Sequence, residues 1–189
     1  IVEISPFTQE LYGIHDIFIP EDPPYRMPIP IYRTSDRIGK PFIDMDPSRV
    51  VGILFSAEED TAASFDEPGE VVRRIAAQIL DFVRHEIRRG RMPAALPWQA
   101  GVGDVGNAIL AGFAEDDFFH QIDIYSEVLQ DSVLELIDMG KVRAASGSAM
   151  TLSRPTRTRF FNELYRYKEK IVLRPVEISN APEVIRRLG

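Results

Sequence analysis

From Leu96 to the carboxyl end, short apolar runs alternate with amphipathic stretches, and this alternation constrains the fold more tightly than any other feature of the chain. "LPWQA" reads as a short strand leading into the glycine-rich string "GVGDVG", and Asn107–Phe113 as a two-turn helix. "QIDIYSE" reads as a strand, and "VLQDSVLELIDMG" as an amphipathic helix closed by Gly140. "KVRAASGSAM" follows as a strand and small-residue loop, "RTRFFNELYRYKEK" as a helix, "IVLRP" as a strand and "APEVIRRLG" as the start of another helix. Strands joined through helices do not pair as hairpins, because each crossover returns the chain in the same direction. The expected fold class is therefore α/β: a layered, mainly parallel sheet with helices on both faces. Ligands of such sheets bind at the carboxyl ends of the strands.

The preceding part of the chain reads differently. "IVEI" opens with a strand-like alternation, after which seven prolines fall within "FIPEDPPYRMPIPIY" and "GKPFIDMDPSR". Proline fixes φ and withholds a donor, so residues 1–49 read as an arm or linker of extended, non-sheet chain. "VVGILFS", Val50 to Ser56, reads as a short buried strand. Beyond the acidic "AEEDTAASFDEPGE", a helix is expected from about Pro68 to Arg89, ended by Gly90 and Pro93. Its apolar residues Val71, Val72, Ile75, Ile79, Phe82, Val83 and Ile87 recur at three- and four-residue steps, as a core-packing stripe does.

Composition excludes several classes of function. No apolar run approaches the roughly 20 residues of a membrane-spanning helix, and no secretory signal opens the chain, so a soluble protein is expected. The balance of 22 Lys and Arg against 29 Asp and Glu, net −7, leaves no general electrostatic footprint for nucleic acid. Zero cysteines exclude disulfides and thiolate chemistry and suit a reducing cytoplasm. His15, His85 and His120 form no metal-ligand pair, so no metal is expected. A chain that starts at Ile1 without Met and stops at Gly189 after a charged helical turn reads as a piece of a longer protein.

Gly101-Val-Gly103-Asp-Val-Gly106 has the G-x-G-x-x-G spacing of a dinucleotide-binding loop, for which Asp123 or Glu127 would formally supply the acidic ribose ligand. Three details weigh against that use. Pro97 interrupts the strand ahead, Gly112 follows within two turns of the helix, and the string lies mid-chain rather than at the head of a βαβ unit. A fragment of a nicotinamide-dependent oxidoreductase is retained as the alternative. On either reading, glycines without Cβ let backbone N–H groups approach an anion or oxyanion closely.

The blocks downstream carry a more specific signal. "IDIYSEVLQDSVLELIDMGKVRAASG" resembles the "YTEVLQDGVLDLIDSGKV" segment of the acetyl-CoA hydrolase and CoA-transferase family, which includes succinyl-CoA:acetate CoA-transferases. "QAGVGDVGNAILAGF" is similar to that family's first glycine block, "IVLRPVEISNAPEVIRRLG" to its "EISN" block, and "LYGIHDI" more weakly to its amino-terminal part. The resemblance implies a CoA-transferase-like fold. Residues 1–49 would then be the end of an N-terminal CoA-transferase domain, and 50–189 the first part of the catalytic C-terminal domain. A second glycine-rich loop would lie beyond Gly189. It implies an acyl-CoA:carboxylate CoA-transferase or acetyl-CoA hydrolase acting through a glutamyl-CoA thioester. Its partners would be acyl-CoA and a small carboxylic acid, with CoA as substrate and no permanently bound cofactor, in a homodimeric full-length protein.

By the same resemblance Glu127 matches the nucleophile and Asn180 its neighbour. Glu127 is expected where a strand ends and a helix begins, so that helix N-terminal N–H groups favour its anionic form. Gly101, Val102 and Gly103 can offer N–H donors to a tetrahedral oxyanion. Other roles stand beside these: Asn180 as an N-cap with Pro182 in the first turn, Tyr125 and Phe113 as core, and Asp131 as a helix residue facing the dipole. Ser146 to Ser148 read as a pocket wall with no assigned role. A domain that binds CoA without catalysis is the third possibility. Ala181 stands where many relatives have His, and Asp104 places a carboxylate beside the loop, which leaves acceptor preference open.

Overall fold

A computed structural model of the chain describes residues 1–6, 11–59, 61 and 68–189. In chain order its elements are β1 (Val2–Ile4), β2 (Ile53–Phe55), α1 (Glu70–Arg88), α2 (Asp104–Glu115), β3 (Ile122–Tyr125) and β4 (Val128–Gln130). They continue with α3 (Asp131–Asp138), β5 (Val142–Gly147), β6 (Ala149–Thr151), α4 (Arg154–Asn162), α5 (Leu164–Tyr167), β7 (Ile171–Leu173), α6 (Val176–Ser179) and α7 (Pro182–Leu188).

Every strand pair is parallel, as the strand–helix alternation requires. The central ladder runs β3-β5-β7, with Ile124 opposite Ala145 and Ala145 opposite Ile171. Trp98 extends it on one side through a bridge to Ile124, and His15 on the other through a bridge to Leu173. "LPWQA" is thus reduced to a single bridge, as Pro97 foreshadowed. A second ladder, β4-β6, continues the same two chain segments past the central one, with Leu129 opposite Met150. β3, β5 and β7 contribute Ile124, Ala145 and Ile171 to the main core, which α2 and α3 cover with Leu110, Phe113, Val133, Leu134 and Leu136. Phe113 is buried core, and Trp98 packs edge-on against it at 4.9 Å.

Several local expectations are corrected. The helix after the glycine string spans 12 residues from Asp104 and runs straight through Gly106 and Gly112. Gly112 sits where α1 crosses: a Cβ there would lie 2.2 Å from Leu80 Cδ1, so the glycine serves packing and does not end the helix. On α1 the buried face is Ala76, Leu80 and Val83, with Ile79 and Ile87 partly covered, whereas Val71, Ile75 and Phe82 are exposed. The apolar arc is wider than the one helix, α2, that packs extensively against it. β2 is a strand but not a buried one, Phe55 being 79% exposed, because among the described residues only β1 pairs with it. The expected helix "RTRFFNELYRYKEK" breaks at Glu163, whose φ of −119° and ψ of 30° leave the helical region. Most of the acidic stretch lies outside the described residues.

Part of the proline-rich arm is built into the sheet. Asp16 N–H donates to the Leu173 carbonyl at 2.8 Å, and Ile14, Ile29 and Ile31 are fully buried. The arm is fastened by Arg174, itself buried at the end of β7. Arg174 pairs with the Asp16 carboxylate, donates through Nε to Ser146 Oγ at 2.9 Å, and reaches the Thr34 carbonyl at 3.1 Å and that of Asp36. Burial pulls this guanidinium below its ordinary pKa while the Asp16 carboxylate acts in the opposite direction. Reading residues 14–16 as non-sheet chain therefore fails, since a parallel edge needs only a few backbone groups and leaves no periodic signature.

Candidate active site

Glu127 lies in the two-residue gap between β3 and β4, at the carboxyl end of the central ladder. Its main chain is held from across the gap: the Ser148 N–H, Ser148 hydroxyl and Ala149 N–H donate to the Glu127 carbonyl at 2.8, 2.9 and 3.2 Å. One residue earlier, the Ser126 N–H donates to the Ser146 carbonyl at 2.9 Å. Such a close approach needs a glycine opposite. A Cβ on Gly147 would lie 3.2 Å from the carbonyl oxygens of both Ser126 and Glu127. The backbone is thus fixed while the Glu127 side chain is exposed, and no hydrogen bond or ion pair engages its carboxylate among the described residues.

The helix expected to begin at Glu127 begins at Asp131 instead, because Val128–Gln130 pair with Ala149–Thr151 before the chain turns helical. Helix N–H groups therefore do not serve Glu127. They lie at Asp131, whose carboxylate also accepts from the Ser153 N–H and Thr156 Oγ1, each at 2.9 Å, and from the Ser153 hydroxyl, tying α3 to the start of α4. Ser146 and Ser148, read as a pocket wall, are instead the acceptor for Arg174 and the clamp on Glu127.

Asn180 ends α6 and is exposed. The N-cap of α7 is Ala181, without a side-chain cap, so the capping role expected of Asn180 is not used. Its amide has no hydrogen-bond partner among the described residues. Glu127 and Asn180 line one cavity of about 300 Å³, together with Gln99, Ser126 and Ser179. Met92, Leu96 and Trp98 form an apolar wall, and Glu127 carries the one charged side chain among the described lining residues. Tyr125 also lines it while serving as core, as expected, in a buried cluster with Ile178 and Val184. The Ser126 hydroxyl donates to the Ala100 carbonyl at 2.9 Å and is committed there.

Gly101, Val102 and Gly103 are exposed and do not line this cavity. They border it at one remove: Ser126 holds Ala100, and Gln130 Nε2 lies 3.5 Å from the Gly101 carbonyl oxygen. Gly103, at φ +151°, is the N-cap of α2, and a Cβ on Gly106 would lie 2.6 Å from the Gly101 carbonyl oxygen. The third glycine of the string therefore answers to packing of the loop on its own helix. Asp123, the formal ribose ligand, is buried and spent on Arg143, which donates to it at 2.9 and 2.7 Å. Gln99 and Ser179 were not foreseen as lining residues. Their one signal in the sequence was adjacency to the glycine and "EISN" blocks.

No protein-family model matches the sequence. The chain is 40% identical over 190 residues to the acetyl-CoA hydrolase of Schizosaccharomyces pombe, and 37% identical over 191 residues to the propanoyl-CoA:succinate CoA transferase of Escherichia coli. Both alignments cover all of this chain but only 36% and 39% of the relatives' length. Among solved structures, RipA from Yersinia pestis matches 74% of the chain with a TM-score of 0.58 at 19% identity, over 31% of its own length. A 4-hydroxybutyrate CoA-transferase from Porphyromonas gingivalis matches 72% with a TM-score of 0.54 at 18% identity, over 33% of its length. The fold is thus that of CoA-transferases. The chain is homologous from end to end to acetyl-CoA hydrolases and CoA transferases, and spans about a third of their length.

Proposed function

We propose that the protein to which this chain belongs is an acyl-CoA:carboxylate CoA-transferase or acetyl-CoA hydrolase, with Glu127 as nucleophile and Asn180 beside it. One observation carries the proposal: the Glu127 carboxylate and the Asn180 amide line one cavity, and among the described residues neither has a hydrogen-bond partner and no other charged side chain lines it. A Glu127 oxygen attacks the acyl-CoA carbonyl, the C–S bond breaks, and CoA leaves as thiolate with an acyl-glutamyl anhydride behind it. The thiolate then attacks the glutamyl carbonyl, releasing the acyl group as its carboxylate and leaving a glutamyl-CoA thioester. An acceptor carboxylate repeats these steps in reverse; water instead returns free CoA and the Glu127 carboxylate.

Electrostatics sets the order. A second carboxylate is repelled while Glu127 is ionised, since no described lining residue is cationic, whereas the glutamyl thioester carries no charge on Glu127 and admits it. Asn180 can donate to oxygen and orient the reacting carboxyl without adding charge. Gly101, Val102 and Gly103 offer N–H donors to a developing oxyanion, each such donor typically contributing about 2.7–4 kcal/mol. The same reading makes residues 1–49 the end of an N-terminal domain and 50–189 the beginning of the catalytic one. It takes CoA as substrate with no resident cofactor and has no nucleic-acid partner. The protein is a cytoplasmic homodimer on this reading. No helix among the described residues is long and apolar enough to cross a membrane.

The test is the covalent intermediate. Full-length protein incubated with acyl-CoA and no acceptor is expected to carry CoA on the peptide containing Tyr125, Ser126 and Glu127, detected by mass spectrometry and removed by borohydride or a carboxylate. Glu127→Gln is expected to abolish the adduct and turnover; an acyl group held on Ser126 instead would overturn the mechanism. CoA, and not NADH, is expected to raise the melting temperature; the reverse would revive the nicotinamide reading.

A further inference from the structure

Ser179 is the last residue of α6, next to Asn180, and lines the same cavity as Glu127. The residue is 3% exposed, and its hydroxyl oxygen has no hydrogen-bond partner among the described residues. A serine in the last turn of a helix ordinarily donates to a carbonyl three or four residues back. Here the Pro175 carbonyl already accepts the Ile178 and Ser179 N–H groups at 2.9 and 3.1 Å, and the Val176 carbonyl accepts the Asn180 N–H at 2.8 Å. The backbone is also fixed from the other side, since the Tyr125 hydroxyl donates to the Ile178 carbonyl at 3.0 Å. Thr34 and Ser132 also carry buried hydroxyls without partners, but of the three only Ser179 lines the cavity of Glu127, where a ligand can supply the missing partner.

We infer that Ser179 is an acceptor-binding residue, its hydroxyl donating to the carboxylate oxygen of the acceptor acid that does not attack the glutamyl thioester. The inference rests on the glutamyl-CoA reading above. The acceptor is an anion, and the described residues that line the cavity include no cationic side chain, so the donors they offer it are neutral. Ser126 and Tyr125 are unavailable because their hydroxyl protons are given to the Ala100 and Ile178 carbonyls, which leaves the side chains of Trp98, Gln99, Asn180 and Ser179 among the described lining residues. A serine hydroxyl reaches a ligand by rotation about one side-chain torsion, and one with no partner among the described residues sacrifices no protein hydrogen bond in doing so. Because acceptor attack is the reverse of the step that releases the first carboxylate, Ser179 meets a carboxylate on both sides of the thioester. Removing its hydroxyl therefore weakens carboxylate capture and shifts the partition of the thioester towards water.

The experiment compares Ser179→Ala and Ser179→Thr in the full-length protein, with acetate and succinate as acceptors. Ser179→Ala is expected to raise the acceptor KM about tenfold, the size of one hydrogen bond to a charged group. The ratio of hydrolysis to transfer should rise with it, while acyl-CoA KM stays unchanged and a CoA adduct still forms on Glu127. Ser179→Thr, which keeps the hydroxyl, should restore acceptor KM. The melting temperature of Ser179→Ala should equal or exceed that of the parent, because the hydroxyl bonds nothing in the unliganded fold. An unchanged acceptor KM, an unchanged ratio of hydrolysis to transfer, or a lower melting temperature would each overturn the inference. Failure of the underlying reading is separate, as it would appear as a CoA adduct or turnover that survives Glu127→Gln.

Discussion

The Tyr125 hydroxyl donates a 3.0 Å hydrogen bond to the main-chain carbonyl of Ile178, joining the strand two residues before Glu127 to the turn two residues before Asn180. The two candidate catalytic side chains come from segments 53 positions apart, and this bond ties those segments together where they line the cavity. The remaining Tyr125 ring atoms pack against Ile178 and Val184, so the same residue supplies the hydrophobic contact and the polar latch.

Tyr125→Phe should therefore lower stability and turnover together. It leaves the buried Ile178 carbonyl without its donor, at a cost of about 1–3 kcal/mol, while keeping the ring. Denaturant unfolding should report the loss, and kcat should fall more than acyl-CoA KM rises. Parent-like values in both would show that the bond positions nothing.

Gly147→Ala tests the clamp on Glu127. The added methyl would meet the Ser126 and Glu127 carbonyl oxygens at 3.2 Å and Leu129 Cγ at 3.0 Å, closer than most real contacts. Two of these neighbours are backbone, so the Glu127 segment must shift. A fold retained with a destabilisation of about 1–3 kcal/mol is expected, with a larger proportional loss in the rate of CoA adduct formation. Circular dichroism and the mass of the Glu127 peptide would check it.

Asp16→Asn should be among the most destabilising single changes. Arg174 and Asp16 are 0% and 1% exposed at their side chains, and removing one charge strands the other in the interior. The expected cost is about 3–5 kcal/mol, read from the urea midpoint. Because Arg174 also binds Ser146 beside the Glu127 clamp, residual folded protein should show weakened adduct formation.

A pH dependence follows from Tyr125. Burial raises its phenol above the ordinary value of 10.0, with the Arg174 cation acting the other way. A folded pKa above the unfolded one stabilises the fold fully below about pH 10 and loses that contribution as pH climbs through the folded value. Unfolding midpoints above about pH 10 should fall more steeply with pH in the parent than in Tyr125→Phe. Ultraviolet titration should show two tyrosines ionising above the ordinary value of 10.0, Tyr125 and Tyr167, the second raised by burial and by its hydrogen bond to Asp138, and Tyr125→Phe should remove one of the two.

Much of the central architecture was legible in the chain. Buried parallel strands are short apolar runs such as "IDIY" and "IVL", and helices between them leave no route to antiparallel pairing. The blocks around Glu127 and Asn180 were legible as a resemblance, and the structure brings those two residues to one cavity. Less legible were short parallel ladders: Val128–Gln130 and His15 pair through a few backbone groups, which periodicity does not record. Nor does an apolar run announce what covers it, as Phe55 and Phe82 show by lying exposed.

The sequence by itself determined strand direction and most of the helical stretches, because these follow from local periodicity. Tertiary structure alone decided that Glu127 stands in a strand gap instead of at a helix start, since the partner of Val128–Gln130 lies 21 positions along the chain at Ala149–Thr151. It also decided that Ser126 is spent on Ala100 while Ser179 is left unpaired. The physical reason is the same for both: a hydrogen bond is settled by which donor and acceptor the packed core brings within about 3 Å, and that distance is a property of the whole fold.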